Sequence, residues 1–99
     1  MKNITLICAG GFSTSMLVSN MEEAAKDKGV DVVIRAIAES KFVEYENDTD
    51  ILLLGPQVGY LLEEIKERYV SKKMKIAVID SIDYGMMNGE KVLNDALNM

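Results

Sequence analysis

Four short apolar runs alternate with longer amphipathic stretches along this chain, and the alternation constrains the fold more than any other feature. The runs are NITLIC at 3–8, VDVVIRAIA at 30–38, DILLLG at 50–55 and KIAVID at 75–80. Each has the length of a strand. The first and third are apolar enough to be buried on both faces, whereas Asp31 and Arg35 mark the second as an edge. From Ser13 to Lys28 the residues Leu17, Met21, Ala24 and Ala25 fall at helical spacing, and Gly29 supplies a stop. Pro56 suits the first turn of a helix that carries Val58, Leu61, Leu62, Ile65 and Tyr69 on one face. Val92, Leu93, Ala96 and Leu97 mark a last helix. ESKFVEYENDT at 39–49 is polar and reads as a short helix, and DYGMMNG at 83–89 reads as a loop. The order βαβ(α)βαβα predicts an α/β fold: one domain over 1–99, a mostly parallel sheet, helices on both faces and right-handed crossovers.

Composition narrows the function. The chain has 99 residues, 48% hydrophobic and 27% charged, which is enough apolar material for one small core. No stretch approaches the roughly 20 apolar residues of a membrane span, so no direct membrane insertion is expected. MKNITLIC lacks the long apolar region and cleavage site of a secretory signal. A single cysteine forms no internal disulfide and agrees with a cytoplasmic location. One cysteine without any histidine does not furnish a zinc site, and no metal or cofactor is expected. With a net charge of −5, the one basic cluster, SKKMK at 71–75, is too short for nucleic-acid binding and solvates a helix-to-strand connection. EEIKER at 63–68 reads as a solvated helix face.

In a parallel sheet, ligands bind beyond the carboxyl ends of the strands, near the point where the winding reverses. Three loops belong to that edge: the one starting at Cys8, Gly55–Gln57 and Asp80–Gly85. Only the first, within LICAGGFSTS, carries an obvious chemical group. A thiolate at a helix N-terminus is stabilised by the unpaired N–H groups there. Gly10 and Gly11 permit a tight turn, Ser13 or Thr14 can cap the helix, and Ser15 adds a hydroxyl. Successive N–H groups leading into a helix form a nest for an anion. Two readings stand on this chemistry alone. Cys8 is either a small packing residue at a strand end or a sulfur nucleophile in a phosphate cradle, suited to phosphoryl transfer through a cysteinyl phosphate. Low-molecular-weight tyrosine phosphatases carry Cys-x5-Arg-[Ser/Thr] in a strand–loop–helix. Here the sixth residue after Cys8 is Thr14, followed by Ser15, so the loop length is similar and the phosphate-clamping arginine is missing. That pattern suits a carrier better than a phosphatase.

The segments ICAGGFSTSMLV (7–18), ILLLGPQVGYLLEEI (51–65) and VIDSIDYGMMNGEKVL (78–93) together resemble the enzyme IIB component of the lactose/cellobiose-type (also chitobiose) phosphotransferase system of bacteria. The resemblance implies a four-stranded parallel sheet in the order 2-1-3-4, similar to the phosphatase fold. It implies that Cys8 is the nucleophile. In the family this cysteine takes a phosphoryl group from a phosphohistidine of the IIA protein and passes it to a sugar imported by the membrane component IIC. The absence of histidine fits, because the donor imidazole arrives on another chain. By the same resemblance Ala9, Gly10, Gly11, Phe12, Ser13, Thr14 and Ser15 hold the phosphate. Phe12 stands where many relatives carry methionine, and Asn88 where an acidic residue is frequent, so no role is assigned to Asn88.

Gln57, Asp80 and Tyr84 are accessory candidates at the same edge. Gln57 either touches the phosphate or a partner, or solvates its loop. Asp80 lies where the phosphatases place a general acid, although a helix cap with Ser81 suits a carrier better. Tyr84 lines the groove or packs. The methionines at 16, 21, 86 and 87 include a helical-face pair that belongs with the core, while Met86 and Met87 are candidates for a docking surface. The expected partners are phosphorylated IIA and sugar-loaded IIC, met by a monomer. The alternatives are a cysteine-dependent hydrolase and a non-catalytic regulatory module of the same fold that binds a phosphorylated partner.

Overall fold

The structure is a computed structural model that describes residues 2–7 and 12–99, with side chains for 2–7 and 15–99. Four strands, β1 (Lys2–Ile7), β2 (Val32–Ile37), β3 (Ile51–Leu54) and β4 (Lys75–Val78), form one parallel sheet in the order β2-β1-β3-β4. Four α-helices accompany it: α1 (Phe12–Lys28), α2 (Leu62–Arg68), α3 (Ser81–Gly85) and α4 (Gly89–Leu97). The expected fold class and strand order are both found. β1 and β3 are the inner strands, and Ile4 to Ile7 and Ile51 to Leu54 are all buried. β2 is an edge, as Asp31 and Arg35 suggested.

Alternation along the strands divides the core between the two faces. Ile4, Leu6, Ile51 and Leu53 meet Leu17, Met21, Ala24 and Ala25 of α1, Tyr84 of α3, and Val92, Leu93 and Ala96 of α4. Ile7, Leu52 and Leu54 meet Phe42, Val58, Ile65 and Tyr69 on the other side. Phe42 and Tyr69 cross edge to face, with ring centroids 5.4 Å apart. Burial pushes the Tyr69 phenol up from its ordinary range, helped by a hydrogen bond with Glu46. The one buried polar side chain of β1, Thr5, is satisfied: its hydroxyl lies 2.8 Å from that of Thr49, which donates to the Tyr45 carbonyl. Because Thr49 spends its only proton on Tyr45, Thr5 is the donor between the two.

Local chemistry accounts for the element boundaries. α1 ends in a Schellman turn, with Val30 N–H on the Ala25 carbonyl, Gly29 N–H on that of Lys26, and Gly29 at φ +69°. Segment 39–49 is helical as expected, but of the tighter 3-10 kind, over Glu39–Glu44 and Glu46–Asp48. The helix anticipated after Pro56 is interrupted: a 3-10 stretch covers Pro56–Leu61, Val58 leaves helical geometry, and regular α-helix begins only at Leu62. Residues 83–89 are not the loop that the sequence suggested. α3 occupies Ser81–Gly85 and α4 begins at Gly89, so the true turn is 86–88. A five-residue helix with Tyr84 as its only buried residue leaves no periodic signal to read.

Candidate functional site

Register aligns the strand ends. Ile7 pairs with Ile37 on one side and Leu54 on the other, and Leu54 pairs with Val78, so all four strands stop in one row. The chain order reverses direction between β1 and β3, which makes their carboxyl ends the switch point where α/β sheets place ligands. Gly55 N–H donates to the Ile7 carbonyl at 2.8 Å, and Ile79 N–H to that of Leu54 at 2.8 Å, tying the three exits together. The next residue in the sequence after Ile7 is Cys8.

Cys8, Ala9, Gly10 and Gly11 lie outside the described residues, as do the side chains of Phe12, Ser13 and Thr14. Four residues separate the end of β1 from Phe12, the first residue of α1. α1 is 17 residues long, has no acidic residue in its first turn, and carries Lys26 and Lys28 in its last. Its N-terminal N–H groups therefore face no carboxylate of their own turn, and its dipole is complemented at the far end. Ser15 is exposed. The stretch from Cys8 to Ser15 contains no lysine, arginine or histidine.

The accessory candidates sort differently. Asp80 caps α3: its carboxylate accepts from Ile82 N–H at 2.8 Å and Asp83 N–H at 3.3 Å. A carboxylate holding two backbone donors in this way serves as a helix cap. Replacing Asp80 with alanine is expected to cost about 1 kcal/mol of stability, measurable as a lower urea midpoint. Tyr84 is buried in the core, so of its two readings packing is the one found. Gln57 is exposed in the turn after β3. A cleft of about 300 Å³ opens beside Ile7, lined by Glu39, Ser40, Val43, Glu46, Arg68 and Tyr69 among others. Among the described residues that line it the one guanidinium, Arg68, pairs with Glu64 at 2.9 Å.

Several features escaped the sequence reading. Met21 is buried as expected of a core methionine, but Met16 is 59% exposed, and Tyr60, Ile82 and Met86 are exposed at 79%, 68% and 72%. Met16, Tyr60 and Ile82 belong to elements that begin at the carboxyl edge of the sheet, and Met86, already a docking-surface candidate from sequence, follows α3 in the turn at 86–88. Asn88 caps α4 by accepting from Lys91 N–H at 3.2 Å. The Lys91 ammonium joins Asp95 at 2.7 Å and Asp83 at 3.3 Å, and these hydrogen bonds, that to Asp95 first, hold it above its ordinary range. Only the Asn88 cap had a sequence signal, an Asx residue before a helical pattern. Among the described residues no cluster of acidic, cysteine or histidine side chains has the arrangement of a metal site. No helix described is long and apolar enough to cross a membrane.

Comparison with known proteins places this geometry. Residues 3–95 match the family described as "PTS system, Lactose/Cellobiose specific IIB subunit". The chain is 42% identical over 103 residues to the cellobiose-specific EIIB component of Lactococcus lactis subsp. lactis, covering 99% of this chain and 95% of that one. It is 36% identical over 99 residues to the oligo-beta-mannoside-specific EIIB component of Bacillus subtilis, covering 100% and 96%. The solution structure of a cellobiose-specific phosphotransferase IIB component from Borrelia burgdorferi superposes with a TM-score of 0.80 at 44% identity, over 98% of this chain and 89% of that one. The fold is shared more distantly, at TM-score 0.62 and 12% identity over the whole of both chains, with a mutant of YwlE from Bacillus subtilis. The chain belongs to the lactose/cellobiose-specific IIB family, the phosphotransferase components of bacterial sugar uptake systems.

Proposed function

We propose that this chain, as a single domain over residues 1–99, is a phosphoryl carrier in which Cys8 takes a phosphoryl group from a phosphohistidine of IIA and gives it to a sugar held by IIC. The thiolate of Cys8 attacks phosphorus; the P–N bond breaks as the S–P bond forms, and the departing imidazole retains the electron pair and takes up a proton. In the second step a sugar hydroxyl oxygen attacks phosphorus, the S–P bond breaks, the thiolate leaves, and the hydroxyl proton is lost to the acceptor side. The backbone of Ala9 to Ser15, with the hydroxyls of Ser13, Thr14 and Ser15, cradles the phosphate oxygens. A neutral cradle stabilises the group without a cation that would bind the ground state as tightly as the transition state. Gln57, Asp80 and Tyr84 take no chemical part.

The observation that carries this reading is the position of the chain's one cysteine, next in sequence to the last residue of an inner strand at the switch point and shortly before a helix with no acidic residue in its first turn. The sugar is proposed to be a β-linked disaccharide such as cellobiose, chitobiose or lactose, in keeping with relatives named cellobiose-specific and oligo-beta-mannoside-specific. The proposed place of action is the cytoplasm, as a monomer that meets its partners in turn. A IIC partner is supported by a lactose-specific EIICB component of Staphylococcus haemolyticus, of which this chain matches 14% at 27% identity over 82 residues. Intact mass after incubation with phosphoenolpyruvate, the general phosphotransferase proteins and a panel of IIA proteins tests the first step. One phosphoryl adduct that requires IIA is expected; a chain that stays unmodified with every IIA contradicts the proposal.

A further inference from the structure

α3 has three large side chains inside or bordering its single turn and a half, and it treats them differently. Tyr84 is buried in the core, while Ile82 and Met86 stand in solvent. Folding gains nothing from exposing them. With Met16 near the start of α1, they give the carboxyl edge of the sheet the composition of a contact surface.

Both ends of α3 are fastened. At its start Asp80 caps it and Ile79 is tied to Leu54. At its end Met87 adopts φ +52°, a left-handed conformation that a non-glycine residue keeps only where its surroundings hold it. The Met87 carbonyl accepts from Gly89 N–H at 2.9 Å and from Asn20 Nδ2 of α1 at 2.9 Å. The Asn20 amide is thus the side-chain link between the middle of α1 and the turn that ends α3.

We infer that Asn20 is a positioning residue for the docking of the phosphorylated donor: by holding the Met87 carbonyl it sets Ile82 and Met86 where that donor must land. The inference rests on the carrier reading above. It commits to the phosphohistidine-bearing partner, because a donor delivering phosphorus to the residue after Ile7 has to cover the carboxyl edge, and α3 starts from that edge. Asn20 touches neither phosphorus nor partner, and its effect runs through α3.

Initial rates of phosphoryl uptake from phosphorylated IIA, with this chain as the varied acceptor, give the test. Asn20→Asp keeps the shape but removes the donor, and Asn20→Leu removes it without adding charge. In both, the second donor of the Met87 carbonyl, Gly89 N–H, remains. Loss of one hydrogen bond of this kind corresponds to a KM raised about five- to tenfold, with kcat expected to stay within about twofold. Ile82→Ser, on the surface, is expected to raise KM similarly with an unchanged thermal midpoint. Asn20→Gln, which retains an amide donor, is expected to restore most of the affinity. A lowered thermal midpoint with unchanged KM in Asn20→Asp and Asn20→Leu would make Asn20 merely structural and overturn the inference. An unchanged KM in Ile82→Ser, or a defect confined to onward transfer through IIC, would overturn it too. If the unaltered chain takes up no phosphoryl group from any IIA, the carrier reading itself fails, a result distinct from the others.

Discussion

Replacing Cys8 with serine is expected to abolish phosphoryl uptake, a loss of at least about 10³ in rate, the scale on which removal of a nucleophile acts. The reason is acidity. At neutral pH a thiol is already partly thiolate, and more so at a helix N-terminus, whereas a serine hydroxyl needs a general base to attack. The chain contains no histidine, and Asp80, the carboxylate singled out at this edge, is occupied by the backbone of α3. The substitution leaves the cradle's N–H groups as they were, so binding of inorganic phosphate is expected to survive where covalent uptake does not. Intact mass beside a phosphate titration separates the two, with circular dichroism to show that the fold is retained. Uptake by Cys8→Ser at the normal rate would place the phosphoryl group elsewhere.

Among alanine substitutions at Gly29, Gly59, Gly85 and Gly89, Gly89→Ala is expected to be the most damaging. A Cβ at this position would lie 2.4 Å from the Asn20 carbonyl carbon and 2.5 Å from the Met21 nitrogen, both backbone atoms of α1. Backbone in the middle of a 17-residue helix does not move aside as a side-chain end does, so α4 must back away and loosen the packing of Val92, Leu93 and Ala96 on the sheet. Overpacking of this kind costs about 3 kcal/mol or more, a large part of the stability of a small domain. For this chain length that corresponds to a fall in thermal midpoint on the order of 10–20 °C. Gly85→Ala is the matched control, since its Cβ would meet nothing within 4 Å. In the helical turn of α3 it is expected to be neutral or to stabilise by about 0.5 kcal/mol through the unfolded chain. Equal midpoints for the two variants would show that the approach of α4 to α1 is looser than the structure has it.

The parts that sequence disclosed are those that depend on periodicity and on strong punctuation. ILLL at 51–54 can only be a doubly covered strand, Leu17, Met21, Ala24 and Ala25 announce the inner face of α1, and Gly29 ends it in the left-handed conformation that glycine favours. Strand order is a property of long-range pairing and came through family resemblance, not through pattern. What stayed hidden is short or specified by tertiary contact. α3 is too brief to show a period, and the break at Val58 reflects the local geometry of a 3-10 turn after Pro56. The outward turn of Met16 and Ile82 is invisible in a chain where an apolar residue at helical spacing is usually core, whereas Met86 was already a candidate for a docking surface. Nor does an asparagine in a helix declare that its amide holds a carbonyl 67 residues away. At the site, Cys8 and its glycines lie outside the described residues, and sequence could propose a role for them because their chemistry is local. The exposed side chains of Met16, Tyr60 and Ile82 were harder to foresee, because they come from three separate strand exits.

The central claim is that the phosphoryl group on Cys8 waits for a sugar. It is tested most directly by isolating the phosphorylated chain and adding membrane vesicles that contain IIC, with and without a β-linked disaccharide. The account predicts that the phosphoryl adduct persists without sugar and, on its addition, disappears from the protein and is recovered as sugar phosphate. Release as inorganic phosphate at the same rate whether or not sugar and IIC are present would contradict it, and would identify the chain as a hydrolase that shares the fold of the tyrosine phosphatases.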